Sequence, residues 1–323
     1  LYHSYMFAKK NNYPLKVIIF ALEDDAIKVY KNIICHYLWE LYQIKISLSE
    51  LDSKGDRILP DFVVEKLEEA EEFFTDFENT VSIINGVFEP KKIYEVLEKH
   101  AALTGQEIPY TVTIDGRKRE QIRYESDYHT VVIVDNLANI DEGEEHANER
   151  LAIVDLCKKY IREKCCNFYN FTAIQIMQND FSSERQSFNT SGKSIFAKVE
   201  PSLASVGEAK TVTRSMHLVI SLFNPSKFDM LRYPEVKDND LNKSYDIEIL
   251  GNRFRSLKVL KNNDGDSNTR VGVIFDAFSE TWEELPNPGT EELKELYNKI
   301  SGKGLYQKTK NVLLIGNDES NPF

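Results

Sequence analysis

Three polar residues stand where three apolar runs end. Glu23 follows Val17-Ile-Ile-Phe-Ala-Leu22, Asp135 follows Thr130-Val-Val-Ile-Val134, and Gln178 follows Phe171-Thr-Ala-Ile-Gln-Ile-Met177. A carboxylate that activates water, a carboxylate that holds a metal and an amide that senses a phosphate form a set suited to nucleotide hydrolysis. Asp135 is the type of residue that holds Mg²⁺ through water beside a nucleotide. The plainer alternative stays open: Asp135 caps the next turn, and polar strand ends are often only solvated.

These groups meet only if their runs are neighbouring parallel strands. Val131 to Val134 are consecutive β-branched residues without alternation, which reads as a strand buried on both faces. Val17–Leu22 reads the same way. Ligands of open α/β sheets bind at the carboxyl edge, where all three polar residues would emerge. Between the strands lie helix patterns at 26–42, 61–79, 90–103 and 148–166, the last at 3.6 residues per turn. Val81–Ile84 is a further short strand, His217–Phe223 a fourth central one, and residues 290–300 a late helix. The fold class expected is α/β, with a mostly parallel sheet, helices on both faces and an antiparallel C-terminal hairpin at one edge. That hairpin pairs Arg255–Leu260 with Arg270–Phe275. A second hairpin, inserted over residues 107–125, turns at Asp115-Gly116 and carries Arg117, Lys118, Arg119 and Arg123. Nothing in the composition divides the 323 residues, so one domain is expected. Residues 1–12 read as the tail of a helix that starts upstream, and the chain from Gly302 onward as a surface strand and frayed end.

The net charge of −12 argues against a protein that coats duplex DNA. No apolar run is long enough for a bilayer span, and no signal peptide opens the chain, so no membrane partner is expected. The four cysteines, at 35, 157, 165 and 166, show neither C-x-x-C spacing nor a Cys/His cluster, which argues against a zinc site and fits reduced thiols in the cytoplasm. Gly192-Lys193-Ser194 is the one Gly-Lys-Ser. A phosphate-binding loop would need glycine at position 187, where Ser187 stands, and a strand before it.

Several motifs in order resemble the RecA-type motor domain of DnaB-like replicative helicases, in a divergent, phage-like form. The stretch ending at Glu23 resembles the family strand that ends in the general base. Val131-Val-Ile-Val-Asp135-Asn-Leu resembles its Walker B strand. Ala173-Ile-Gln-Ile-Met-Gln178 resembles the strand whose glutamine couples nucleotide state to the DNA loop. Pro201-Ser-Leu-Ala-Ser-Val-Gly207, Thr213-Arg214 and Leu218-Val-Ile220 resemble the segment after that loop. Lys258-Val-Leu-Lys261-Asn-Asn-Asp-Gly265 resembles the hairpin that reaches into the neighbouring subunit's ATP site. The resemblance spans residues 14–286. It implies a RecA-like P-loop NTPase core with ATP and Mg²⁺ as cofactors, Glu23 and Gln178 as catalytic residues and Asp135 at the metal. It implies a homo-oligomer, a hexameric ring, working on single-stranded DNA in the cytoplasm (the host's, if phage-encoded) with a primase or helicase loader. DNA would meet the polar loop 181–200 and its continuation through Arg185, Lys193, Lys198, Lys210 and Arg214, with Phe188 and Phe196 able to stack on bases.

The departures are specific. The Walker A loop is expected upstream of residue 1. Lys261 matches the family lysine, but Asn263 stands where an arginine finger belongs, leaving Arg270 or Arg255 as trans candidates. A missing finger costs ~10³-fold or more in rate. Ser215-Met216-His217 replaces an acidic stretch. The alternative is therefore a non-motor RecA-like recombinase or a catalytically degenerate scaffold.

Overall fold

The computed structural model describes residues 1–55, 58–115, 117–178, 199–203, 210–235, 241–277 and 281–302. The chain divides into two compact units. The first comprises Leu1–Ser221, Val259–Thr269 and Asp276–Thr281, and the second comprises Leu222–Lys258, Arg270–Phe275 and Trp282–Phe323.

A parallel sheet in the order β2-β1-β5-β6 forms the centre of the first unit. Its strands are β1 (Leu15–Ala21), β2 (Val81–Asn85), β5 (His129–Asp135) and β6 (Thr172–Gln175). Alternation along each strand sends side chains to two different cores. On one face Ile18, Phe20, Leu22, Val132 and Val134 meet α6 (Pro90–Thr104) and the helical segment 149–166 through Ile93, Leu97, Ala152 and Leu156. On the other, Val17 and Ile19 meet Tyr5 of α1 (Tyr2–Lys10), Ile33 of α2 (Ala26–Tyr42) and Phe77 of α5 (Glu71–Thr80). Each fully buried large side chain contributes about 1.5–3 kcal/mol. Helices on both faces of a parallel sheet are what the sequence leads one to expect.

Four details differ from the sequence reading. Strand β5 is fully buried on one face only; Val131 and Ile133 are half-buried, because the second core lies mainly over β1 and β2. The helix expected over 61–79 is two, α4 (Asp61–Glu68) and α5, broken at Glu69-Ala70. Glu68, Glu69, Glu71 and Glu72 repel at i,i+3 and i,i+4 spacing there, while Ala70 is buried. Helix α7 (Glu149–Asp155) continues as a wider π-type turn over Leu156–Cys166, with the Asn167 amide donating to the Arg162 carbonyl at 2.9 Å. That segment buries Cys157 and Cys165, and burial pushes the Cys157 thiol up to about 12. Strand β7 (Leu218–Phe223) joins not the parallel sheet but β10, β11 and β12 in a second, four-stranded sheet.

The basic hairpin, β3 (Gly105–Ile114) and β4 (Arg117–Ser126), pairs over ten residue pairs from Gly105↔Ser126 to Ile114↔Arg117. In the second unit, β10 (Phe254–Asn262) and β11 (Arg270–Asp276) pair antiparallel from Phe254↔Ile274 to Lys258↔Arg270. Tyr233, Tyr245, Phe254, Ile247, Leu250 and Leu293 form its buried side chains. The stretch 224–244, irregular in the sequence reading, contributes Arg232-Tyr233 to a small ladder with Tyr245-Asp246. The expected tail strand beyond Gly302 lies outside the described residues. Among the described residues, no helix is long and apolar enough to cross a membrane.

Candidate active site

The site grows out of the strand ladder. Ala21 pairs with Asp135 and Val134 with Gln175. The pairing continues past the strand ends: Leu22 N–H donates to the Asp135 carbonyl at 2.5 Å, Ile176 N–H to that of Val134 at 2.9 Å, and Leu137 N–H to that of Ile176 at 2.9 Å. Glu23, Asp135, Asn136 and Gln178 therefore leave the sheet at one edge.

The acids at 23–25 divide their work. Asp25 caps α2, its side chain accepting from Ile27 N–H at 3.0 Å. Asp24 pairs with Lys28 at 2.6 Å, one helical turn away. Glu23 is left for the edge. Its Oε2 accepts from Asn136 Nδ2 at 2.8 Å and from Gln178 Nε2 at 3.2 Å. Among the described residues Oε1 receives no hydrogen bond. Asn136 is 2% exposed, and its own Oδ1 accepts from Ala138 N–H at 2.7 Å, which fixes the amide with its NH₂ toward Glu23. This last bond answers the capping question. The turn after β5 is capped by Asn136, and Asp135 remains available.

Burial pushes the Asp135 carboxyl above its ordinary value of 3.8; the charges of Glu23 and Asp24 push it further, and Lys28 opposes them. A carboxylate both desolvated and repelled by its neighbours favours a nearby cation. The oxygen donors here suit a hard divalent ion such as Mg²⁺, so Asp135 and its neighbours fit the metal role.

Glu23, Asp135 and Gln178 are thus brought together as expected from the strand ends. Asn136 was given no role in the sequence reading, although it stood beside Asp135. Its signal was local: Asn two residues before a backbone N–H it can accept is a turn-capping residue, and its second group faces the next strand.

The remaining candidates fare differently. Lys261 directs its ammonium to three main-chain carbonyls, of Thr213 at 3.2 Å, Arg214 at 3.1 Å and Met216 at 2.6 Å. Asn263 N–H donates to the His217 carbonyl at 3.0 Å. Arg255 donates from Nη1 to the carbonyls of Asn252 at 2.6 Å and Phe254 at 2.8 Å. Arg270 lies 4.9 Å from the Tyr233 ring centroid. Arg214 is exposed, and Lys210 opens the short helix Lys210–Thr213. Arg185, Lys193, Lys198, Phe188, Phe196 and the Gly192-Lys193-Ser194 tripeptide lie outside the described residues.

No protein-family model and no curated protein matches the chain. Solved structures do. The ATPase domain of one DnaB-like helicase superposes with a TM-score of 0.56 at 12% identity, over 84% of this chain and 75% of that one. A second DnaB-like replicative helicase, described with its interactions with primase, gives a TM-score of 0.56 at 13% identity. It covers 84% of this chain, which spans about half (51%) of that one. At such identities the likeness is one of fold. This chain has the α/β architecture of DnaB-like helicase ATPase domains.

Proposed function

We propose that this chain is the motor domain of an ATP-driven DNA helicase, a divergent, phage-like member of the DnaB-like group. The observation that carries the reading is the shared edge: Asn136 and Gln178 both donate to one oxygen of Glu23, beside an Asp135 held above its ordinary value. The fold likeness to two helicase ATPase domains supports it.

In this reading Glu23 takes the proton of the attacking water on Oε1, with Oε2 held by the two amides. A general base placed in this way contributes ~10²–10⁴-fold. Asp135 orients the water shell of Mg²⁺, which supplies charge neutralisation at the β- and γ-phosphates when ATP is bound. Gln178 sits at the end of an edge strand whose continuation is the polar loop assigned to DNA. A change in what Glu23 contacts alters the Gln178 bond and so reaches that loop. Arg185, Lys193, Lys198, Lys210 and Arg214 grip the phosphates of single-stranded DNA. ATP sites lie between subunits of a hexameric cytoplasmic ring, with Arg255, Arg270 or Lys261 entering from a neighbour, and a primase or loader is the partner.

The test is ATP hydrolysis by the full-length protein with and without single-stranded DNA. Faster turnover with DNA is expected; turnover indifferent to DNA counts against the motor. One observation favours a second reading, a non-motor RecA-like recombinase or scaffold: Lys261 has all three ammonium donors engaged within its own chain, and Asn263 replaces an arginine. A monomer that binds neither ATP nor single-stranded DNA would select the scaffold.

A further inference from the structure

Away from the sheet edge, two histidines and a carboxylate meet on the packed pair α1–α2. His3 comes from α1, while His36 and Glu40 stand one turn apart on the same face of α2. The two imidazole Nε2 atoms face each other at 3.3 Å, and Glu40 Oε1 lies 3.8 Å from His36 Nε2. All three ligand atoms fall within 4.8 Å of one another.

The separation is informative. Two bonds of ~2.0–2.1 Å from a tetrahedral zinc ion to imidazole nitrogens place those nitrogens ~3.3–3.4 Å apart. A hydrogen bond from a ring N–H is usually shorter, about 2.7–3.2 Å. The rings meet edge to face, at 88° with centroids 5.0 Å apart, so the paired nitrogens do not arise from stacking. The Glu40 oxygen needs to close by a few tenths of an ångström, within reach of a side chain 36% exposed.

The backbone beneath the cluster is fixed. Tyr2, beside His3, and Cys35 and Tyr37, on either side of His36, are all buried in one aromatic-rich core with Leu38, Val63 and Ala70. The Tyr2 ring also packs edge-on against His36 at 4.9 Å. Ligands carried on helices locked by packing need little reorganisation on binding. The side chain of His36 is 14% exposed and His3 is exposed, so the cluster opens to solvent and an ion can enter.

We infer that His3, His36 and Glu40 form a binding site for a divalent transition ion of the zinc class. Two imidazoles and one carboxylate match that chemistry, whereas Mg²⁺ prefers oxygen donors. The bound ion ties α1 to α2 with three protein ligands and leaves the fourth tetrahedral position to water. The site is independent of the nucleotide reading.

The test adds Zn²⁺ to the full-length protein and reads the melting temperature, with affinity from competition against a chelating dye. Wild type and Asp135→Asn should both show a Zn²⁺-dependent rise, which places the ion away from the acidic sheet edge. His3→Ala, a substitution at an exposed position, should lose the rise. Glu40→Gln should weaken binding by at least the ~10–100-fold that loss of an outer-shell partner costs. Co²⁺ loaded in place of Zn²⁺ should show the intense visible bands of a four-coordinate site in wild type and not in His3→Ala. No Zn²⁺ effect on wild type, an equal effect on His3→Ala, or unchanged affinity in Glu40→Gln overturns the assignment.

Discussion

Glu23 and Lys261 carry opposite charges, lie far apart in sequence, and are both assigned to an ATP site by the resemblance. Their surroundings are unlike. Glu23 accepts two amide N–H groups on one oxygen and has the other oxygen available. Lys261 gives its ammonium to three carbonyls, and three donors are all an ammonium has. The first arrangement orients a group while leaving it capacity to act; the second uses the group to hold chain segments 213–216 and 261 together. A charged residue at a family position is thus a candidate reagent only where its hydrogen-bonding capacity is not already filled.

The contrast can be broken at its foundations first. Phe20, fully buried on β1, anchors the strand that presents Glu23. Phe20→Ala should cost ~3–5 kcal/mol in urea unfolding. A loss under about 1 kcal/mol would mean that the sheet does not set the edge. Asn136→Ala comes next. It removes the cap of its turn and one of the two amides on Glu23, for ~1–3 kcal/mol. Turnover should fall while nucleotide affinity holds; full turnover in this variant would detach Asn136 from the site. Lys261→Met tests the other side of the comparison. Breaking three charge-assisted bonds at a half-buried position should cost about 1–2 kcal/mol, with faster amide hydrogen exchange over 213–217. Unaltered exchange there would show that the clasp holds nothing.

The smallest effect concerns pH. Asp135 has a folded-state pKa above its ordinary 3.8, chiefly by burial and then by Glu23 and Asp24. The folded protein therefore binds that proton more tightly than the unfolded chain. The stability this contributes is present below the unfolded value and is lost as pH rises through the folded one. At neutral pH Asp135→Asn should slightly raise the melting temperature of the metal-free protein, a gain that fades as pH falls toward about 4. A lower melting temperature at neutral pH would mean that the ionised carboxylate is stabilised by its surroundings.

Much of the sheet edge was legible in the sequence because strand ends are local signals. The apolar runs before Glu23 and Asp135 mark β1 and β5, and parallel pairing carries their ends to one side. What escaped depends on packing. The Glu69-Ala70 break rests on acid repulsion next to a buried alanine, and the widened turn over Leu156–Cys166 follows no periodicity that apolar spacing shows. Strand β7 looks like any central strand until its partners are known. The histidine cluster is the clearest case. His36 and Glu40 stand at helical i,i+4 spacing, but a search for Cys/His runs passes over them, and His3 joins only when α1 packs on α2.

The central claim is that Glu23 is the base and that its neighbours only orient it. Glu23→Gln keeps the size and the hydrogen-bonding reach of the side chain while removing its basicity. The full-length variant should bind a nonhydrolysable ATP analogue as wild type does and lose ~10²–10⁴-fold in DNA-stimulated turnover. Turnover within a few-fold of wild type, at the same nucleotide affinity, would contradict the account.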